Sequence, residues 1–153
     1  MMDLFSSEYN TDRIALPLRD AEIYYYPNFL NTETASTYFE ILQQQTDWQQ
    51  DPITLFGKTY LQPRLTALYA INDKPYSYSG IRMFPKPMTP TLLTIKDKIE
   101  TVSEVKFTTA LLNLYRNGKD SNGWHSDDEK ELGKNPVIAS ISLGVARRFK
   151  LRH

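Results

Sequence analysis

The chain of 153 residues has no cysteine. That excludes disulfides, thiolate zinc sites, iron–sulfur clusters and a thiol nucleophile, and it accords with a reducing compartment. No charge of one sign dominates either, since 18 Lys and Arg stand against 18 Asp and Glu. Net charge therefore predicts no polyanionic partner, and a nucleic-acid binder of this balance needs its basic residues gathered on one face. There is no apolar run long enough to span a membrane. The opening MMDLFSSEYNTDRIALPLRD carries acidic residues and lacks a basic segment followed by an apolar one, so it does not read as a secretory signal. These features point to a cytoplasmic protein. Internal repeats and low-complexity segments are also missing.

What is present fits one domain, 1–153, with a core of ordinary size: 41% of residues are hydrophobic. The aromatic share is high, at ten Tyr and seven Phe, and favours strands. Ala21 to Pro27 reads as a strand stopped by Pro27. Asn31 or Thr32 can cap a helix running to about Thr46, with Ala35, Tyr38, Phe39 and Leu42 on one face for packing against a sheet. Ile53 to Tyr60 predicts strand, tight turn, strand, with Gly57 supplying the turn and Phe56 at or near its tip. Gln62 to Tyr69 predicts another strand. Tyr76 to Met83 alternates aromatic and small polar residues, which would place Tyr76 and Tyr78 on one face.

Phe84 to Thr91 is a proline-broken loop that ends in an N-cap, Thr89, and a first helical residue, Pro90. The helix it opens sets Leu92, Ile95, Ile99 and Val102 on one side. Phe107 to Tyr115 is apolar enough for a central strand, and Asn117 to Asn122 has turn chemistry. Val137 to Leu143 and Arg147 to Arg152 alternate as strands do. Two early helices and many late strands predict an α+β fold, with helices on one side of a β-sandwich or jelly roll.

Metal-binding potential concentrates in Trp124-His125-Ser126-Asp127-Asp128-Glu129. In an extended segment residues two apart share a face, so His125 and Asp127 can offer an imidazole and a carboxylate together. These are two of the three ligands of a facial triad, which leaves coordination positions open on iron. A His-x-Asp pair by itself is common in solvated loops.

Its surroundings carry more. LLNLYRNGKDSNGWHSDDE and PVIASISLGVARRFKLRH, with QPRLTALYA and PYSYSGIRMFPKP upstream, resemble the AlkB family of 2-oxoglutarate-dependent dioxygenases, in its nucleic-acid alkylation-repair branch. The similarity runs from about Phe56 to the C-terminus, with several motifs in order. The resemblance implies a double-stranded β-helix, Fe(II) and 2-oxoglutarate as cofactors, and oxidative demethylation of bases of the 1-methyladenine and 3-methylcytosine type in DNA or RNA. It implies His125 and Asp127 as iron ligands, and Asn113 and Tyr115 as contacts to 2-oxoglutarate. Asp128 would touch the flipped base or orient the site, with Glu129 beside it. Tyr76, Ser77 and Tyr78 would flank the base, where stacking is worth about 1–3 kcal/mol. Phe56-Gly57-Lys58 would be a hairpin finger whose apolar wedge fills the gap left by the extruded base. Lys58, Lys86, Arg147, Arg148, Lys150 and Arg152 are candidate phosphate contacts. A monomer is expected.

The pattern departs from the family at one end. The family's third ligand is a distal histidine, followed by two arginines that grip the 2-oxoglutarate carboxylates. The second of the chain's two histidines is His153, too early in the pattern for that part. The sequence stops within an alternating strand, so C-terminal strands are expected to be missing, with little catalysis and an exposed sheet edge. Two other readings stand beside the enzyme. One is a catalytically inactive nucleic-acid-binding fragment of the same fold. The other is a β-sandwich interaction domain in which the motifs are coincidental.

Overall fold

A computed structural model describes residues 11–78 and 81–153, with Leu55 and Tyr78 described at the backbone alone. The first ten residues, which belong to the segment read above as carrying no secretory signal, lie outside the described residues, as do Ser79 and Gly80. The described residues form two compact units, 11–44 with 140–153, and 45–139.

In the first unit, β1 (Ile14–Leu16) and β2 (Ile23–Tyr25) form an antiparallel pair with Ile14 opposite Tyr25. Helix α1 (Thr32–Gln45) follows. Its start is set locally, because Asn31 Oδ1 accepts the Thr34 N–H at 2.8 Å and so satisfies a donor that the helix leaves open. The expected face of Ala35, Tyr38, Phe39 and Leu42 is half-buried. Against Phe39 lies Gly144, at φ +79°, where a Cβ would come within 2.8 Å of the ring. A side chain there would both strain the backbone and displace the phenyl group.

The second unit is built around β5 (Leu65–Ala70). β9 (Thr109–Leu114) runs antiparallel on one side of it and the two-residue β8 (Lys86–Pro87) parallel on the other. Ala67, Leu68, Tyr69 and Ala70 are 3–4% exposed, so successive residues are buried on both faces. The central strand of this sheet is therefore β5, whereas the sequence suggested the 107–115 segment. That segment is apolar, but among the described residues it pairs along one edge alone.

β3 (Pro52–Leu55) and β4 (Lys58–Leu61) form a hairpin, as do β6 (Tyr76–Tyr78) and β7 (Ile81–Met83). The alternating segment from Tyr76 to Met83 is thus two strands that pair with each other. Helix α2 (Pro90–Ser103) starts as expected: Thr89 Oγ1 accepts the Leu92 N–H, with Pro90 first in the helix. It buries Leu92 and Ile95 and ends on Glu104 in the left-handed conformation. Glu100 is buried as well. Its carboxylate accepts from Lys106 Nζ at 2.7 Å, from the Phe107 N–H at 2.9 Å and from Lys96 Nζ at 3.0 Å. Those contacts, Lys106 first, hold its pKa down at about 2 against an ordinary 4.5.

The fold is thus a mixture of two helices and small sheets among the described residues. Two expected strands, Val137 to Leu143 and Arg147 to Arg152, join no ladder among the described residues. Alternation selects which side chains share a face, but a strand also needs a neighbour to take its N–H and C=O groups. Val137 and Ile138 are correspondingly more than half exposed. Also among the described residues, no helix is long and apolar enough to cross a membrane.

Candidate active site

The end of the β5–β9 ladder carries the first group of side chains. Thr66 stands opposite Asn113. Antiparallel partners share a face, and so do residues two apart. Carried one residue past the ladder, the register sets Arg64 opposite Tyr115, so Arg64, Thr66, Asn113 and Tyr115 all belong to one face. Asn113 is exposed and Tyr115 half-buried. Arg64 is 4% exposed, and its Nε–H donates to Asn113 Oδ1 at 2.8 Å.

The chain then turns over residues 116–121. Asn117 Oδ1 accepts the Lys119 N–H, a side-chain-closed turn of the kind Asn favours. Asp120, 6% exposed, closes a clamp on Arg116. It accepts the Arg116 backbone N–H at 2.9 Å, Nε–H at 2.8 Å and Nη2–H at 3.0 Å. The Ser121 N–H donates to the Pro63 carbonyl at 2.8 Å and ties the turn to the segment that supplies Arg64.

Four residues further on stands His125. Its Nδ1 lies 2.8 Å from the Gly123 carbonyl and its Nε2 3.5 Å from Asp127 Oδ1. A carbonyl can only accept, so Nδ1 carries the proton, and whenever Nε2 is unprotonated its lone pair is turned toward a carboxylate oxygen. Two acceptors facing each other leave a gap suited to a cation. Two donors bound at right angles about 2.1 Å from one metal lie about 3 Å apart, close to the separation seen here. The donor set thus fits two ligands of a divalent metal, with the ring oriented by a backbone carbonyl as ligating histidines usually are. No group of three His, Cys, Asp or Glu suited to a metal occurs among the described residues. His153, in the first unit, has Nε2 3.0 Å from Asp20 Oδ2. Asp128 is exposed, and Glu129 is half-buried with Oε2 shielded from solvent and without a hydrogen-bond partner.

The β3–β4 hairpin closes through a two-residue turn, with Leu55 opposite Lys58. Phe56 and Gly57 both have positive φ, +51° and +76°, the requirement of a type I′ turn. Gly57 adopts that conformation freely and Phe56 does not. The Phe56 side chain is fully exposed at the tip, with Lys58 exposed beside it. On β6, Tyr76 is half-buried and Ser77 exposed, and Tyr78 ends the strand opposite Ile81. Of the candidate phosphate contacts, Lys86 is paired with Asp47, which removes it from the set of available cations. A cavity of about 210 Å³ beside Ala67 and Leu68 is edged by Asp47, Asp51, Arg82 and Lys86, and is lined by none of the residues expected at the iron, the cosubstrate or the base.

The structure therefore brings His125 to Asp127. It also reveals two side chains not singled out in the sequence. Arg64 was visible there as part of a strand and Asp120 as part of a turn. Their contacts span 49 positions in one case and a clamp closed by burial in the other, and neither leaves a periodic mark.

Comparison with known proteins accords with this arrangement. A family model described as the 2OG-Fe(II) oxygenase superfamily matches residues 22–153. The chain is 46% identical over 128 residues to the human alpha-ketoglutarate-dependent dioxygenase alkB homolog 3, covering 83% of this chain and 44% of that protein. It is 35% identical over 122 residues to the human DNA oxidative demethylase ALKBH2, covering 78% and 47% respectively. A protein of that name from Arabidopsis thaliana is 34% identical over 142 residues, covering 86% and 43%. The chain spans less than half the length of these relatives. It belongs to the 2OG-Fe(II) oxygenase superfamily and, within it, to the AlkB family.

Proposed function

We propose that the protein carries the iron-binding and cosubstrate-binding part of an oxidative demethylase of alkylated bases, of the 1-methyladenine and 3-methylcytosine type, in DNA or RNA. The observation that carries this is the His125 Nε2 and Asp127 Oδ1 pair at 3.5 Å, its imidazole fixed by the Gly123 carbonyl. In this reading the sheets belong to a double-stranded β-helix, and the protein acts as a cytoplasmic monomer.

His125 and Asp127 would hold Fe(II), and Asn113 and Tyr115 would orient 2-oxoglutarate from the adjoining face of β9. Bound there, iron and 2-oxoglutarate would supply the oxygen activation that hydroxylates the methyl carbon, with O2 consumed and succinate and CO2 as coproducts. The hydroxymethyl group then leaves as formaldehyde and restores the base. The remaining work is positional. Tyr76, Ser77 and Tyr78 would contact the extruded base, and Phe56-Gly57-Lys58 would enter the duplex. Asp128 and Glu129 offer carboxylates beside a lesion that is itself cationic.

The test is formaldehyde release from methylated oligonucleotides by the natural full-length protein, with and without His125→Ala. Loss of release together with loss of Mn(II) binding is expected. Undiminished release by the variant would remove the iron-site assignment, and binding of methylated DNA without any release by the unaltered protein would favour the non-catalytic reading.

A further inference from the structure

We infer that Arg64 is a positioning residue for 2-oxoglutarate, fixing which way round the Asn113 amide faces. The inference rests on the reading of Asn113 as a cosubstrate contact and adds the residue that makes this contact directional.

An Asn side chain ends in an acceptor and a donor of nearly equal size, and an unconstrained amide presents either. 2-Oxoglutarate carries two carboxylates and a keto group, all acceptors. The exposed Asn113 amide is useful to such a ligand only when its NH2 is turned outward. A carbonyl oxygen in that place would face the ligand's own oxygen atoms and repel them.

Arg64 removes the ambiguity. A guanidinium has N–H donors and no acceptor, and it stays protonated throughout the working pH range. The amide atom 2.8 Å from Arg64 Nε is therefore the oxygen, and Nδ2 with its two N–H groups is the branch left for a ligand. The geometry makes this hold firm. Arg64 is 4% exposed, so its guanidinium is locked in place and the bond is shielded from water. Asn113 sits on a paired strand one register step diagonal to Arg64, so its Cα is held within reach of the guanidinium, and a χ2 flip of the amide would set its NH2 against the Arg64 N–H and lose that bond. The ligand then meets donors already aimed and has no amide flip to impose on binding.

The experiment is anaerobic calorimetric titration of 2-oxoglutarate into the natural full-length protein loaded with Mn(II). It compares the unaltered protein with Arg64→Met, Asn113→Ala, the double variant and Asn113→Asp. Arg64→Met should raise the dissociation constant by about tenfold, the scale of one charge-assisted hydrogen bond. On the Asn113→Ala background the same change should add less than about twofold, because Arg64 acts through the amide. Asn113→Asp leaves Arg64 intact and presents an oxygen outward, so it should bind 2-oxoglutarate more weakly than Asn113→Ala does. That variant keeps the test open where Arg64→Met does not fold. Arg64→Lys retains a donor and should recover part of the loss.

Equal effects of Arg64→Met in both backgrounds would overturn the inference, as would Asn113→Asp binding as well as the unaltered protein. If Asn113→Ala weakens binding while Arg64→Met does not, the positioning role falls and the cosubstrate reading survives. If the unaltered protein does not bind 2-oxoglutarate at all, both fall.

Discussion

Replacing Phe56 by Asn should make the protein more stable and worse at its proposed task. Phe56 occupies the left-handed region at φ +51°, which costs an ordinary L-residue about 1–2 kcal/mol. Its side chain is fully exposed, so truncation gives up no burial to set against that cost. Asn tolerates the same conformation, and Asn-Gly is the preferred pair for a two-residue hairpin turn. The expected net gain is about 1 kcal/mol, or about 2–4 °C in melting temperature for a chain of this size.

Activity should move the other way. Holding a base out of a duplex costs a few kcal/mol of lost stacking, and an apolar side chain at the hairpin tip can offset part of it. Turnover on a methylated duplex should fall about tenfold, which corresponds to about 1.4 kcal/mol of that offset. Turnover on the same lesion in a single strand should be nearly unchanged. Thermal denaturation and parallel formaldehyde assays on the two substrates read both effects. An unchanged melting temperature would refute the strain argument. Equal losses on duplex and single strand would refute the wedge.

Three further outcomes are expected. Folding keeps Glu100 ionised down to about pH 2, whereas the unfolded chain protonates it near 4.5. Its stabilisation is therefore full above about pH 4.5, declines as pH falls through that window, and is gone below about 2. In denaturant titrations Glu100→Gln should be less stable at pH 7, with the gap narrowing by pH 3, and a gap independent of pH would contradict the assignment. Leu68→Ala on the central strand, 3% exposed, should cost about 2–5 kcal/mol in the same measurement. Asp120→Asn weakens the clamp on Arg116 and should cost about 1–3 kcal/mol in the same denaturant titrations, the scale of a buried charge-assisted hydrogen bond. Unchanged stability would show that the clamp does not hold the turn.

Features readable in the sequence were those fixed by a few neighbouring residues. The caps at Asn31 and Thr89-Pro90 satisfy helix donors three residues away, and the Phe56-Gly57 turn is set within its own hairpin. Spacing of two placed His125 with Asp127, because an extended backbone repeats every second residue. What stayed hidden depends on distant partners. Apolarity nominated 107–115 as the central strand, but position in a sheet is decided by what lies on either side, and β5 has both neighbours. The 137–143 and 147–152 segments alternate without pairing among the described residues for the same reason. Glu100 reads as a surface residue of an amphipathic helix until Lys106 and the Phe107 N–H fold back on it.

Arg64 shows why a family resemblance nominates candidate ligands sooner than their support. Chemistry at a metal constrains residue type, so His125, Asp127, Asn113 and Tyr115 stand out as a pattern. Support constrains geometry, and geometry can be met from anywhere in the chain. The two side chains proposed as metal ligands lie on a segment outside any ladder among the described residues, where backbone position would be loosely held if nothing anchored it. One three-residue stretch supplies anchors to both halves of the site. The Pro63 carbonyl takes the Ser121 N–H and holds the turn leading to His125, while Arg64 takes Asn113. Gln62, 3% exposed, fixes that stretch in turn through its N–H to the Asp51 carbonyl at 3.1 Å and its own carbonyl to Gln50 Nε2 at 2.8 Å. A disturbance at Gln62 should therefore reach metal and cosubstrate binding together, whereas one at Arg64 should reach the cosubstrate alone.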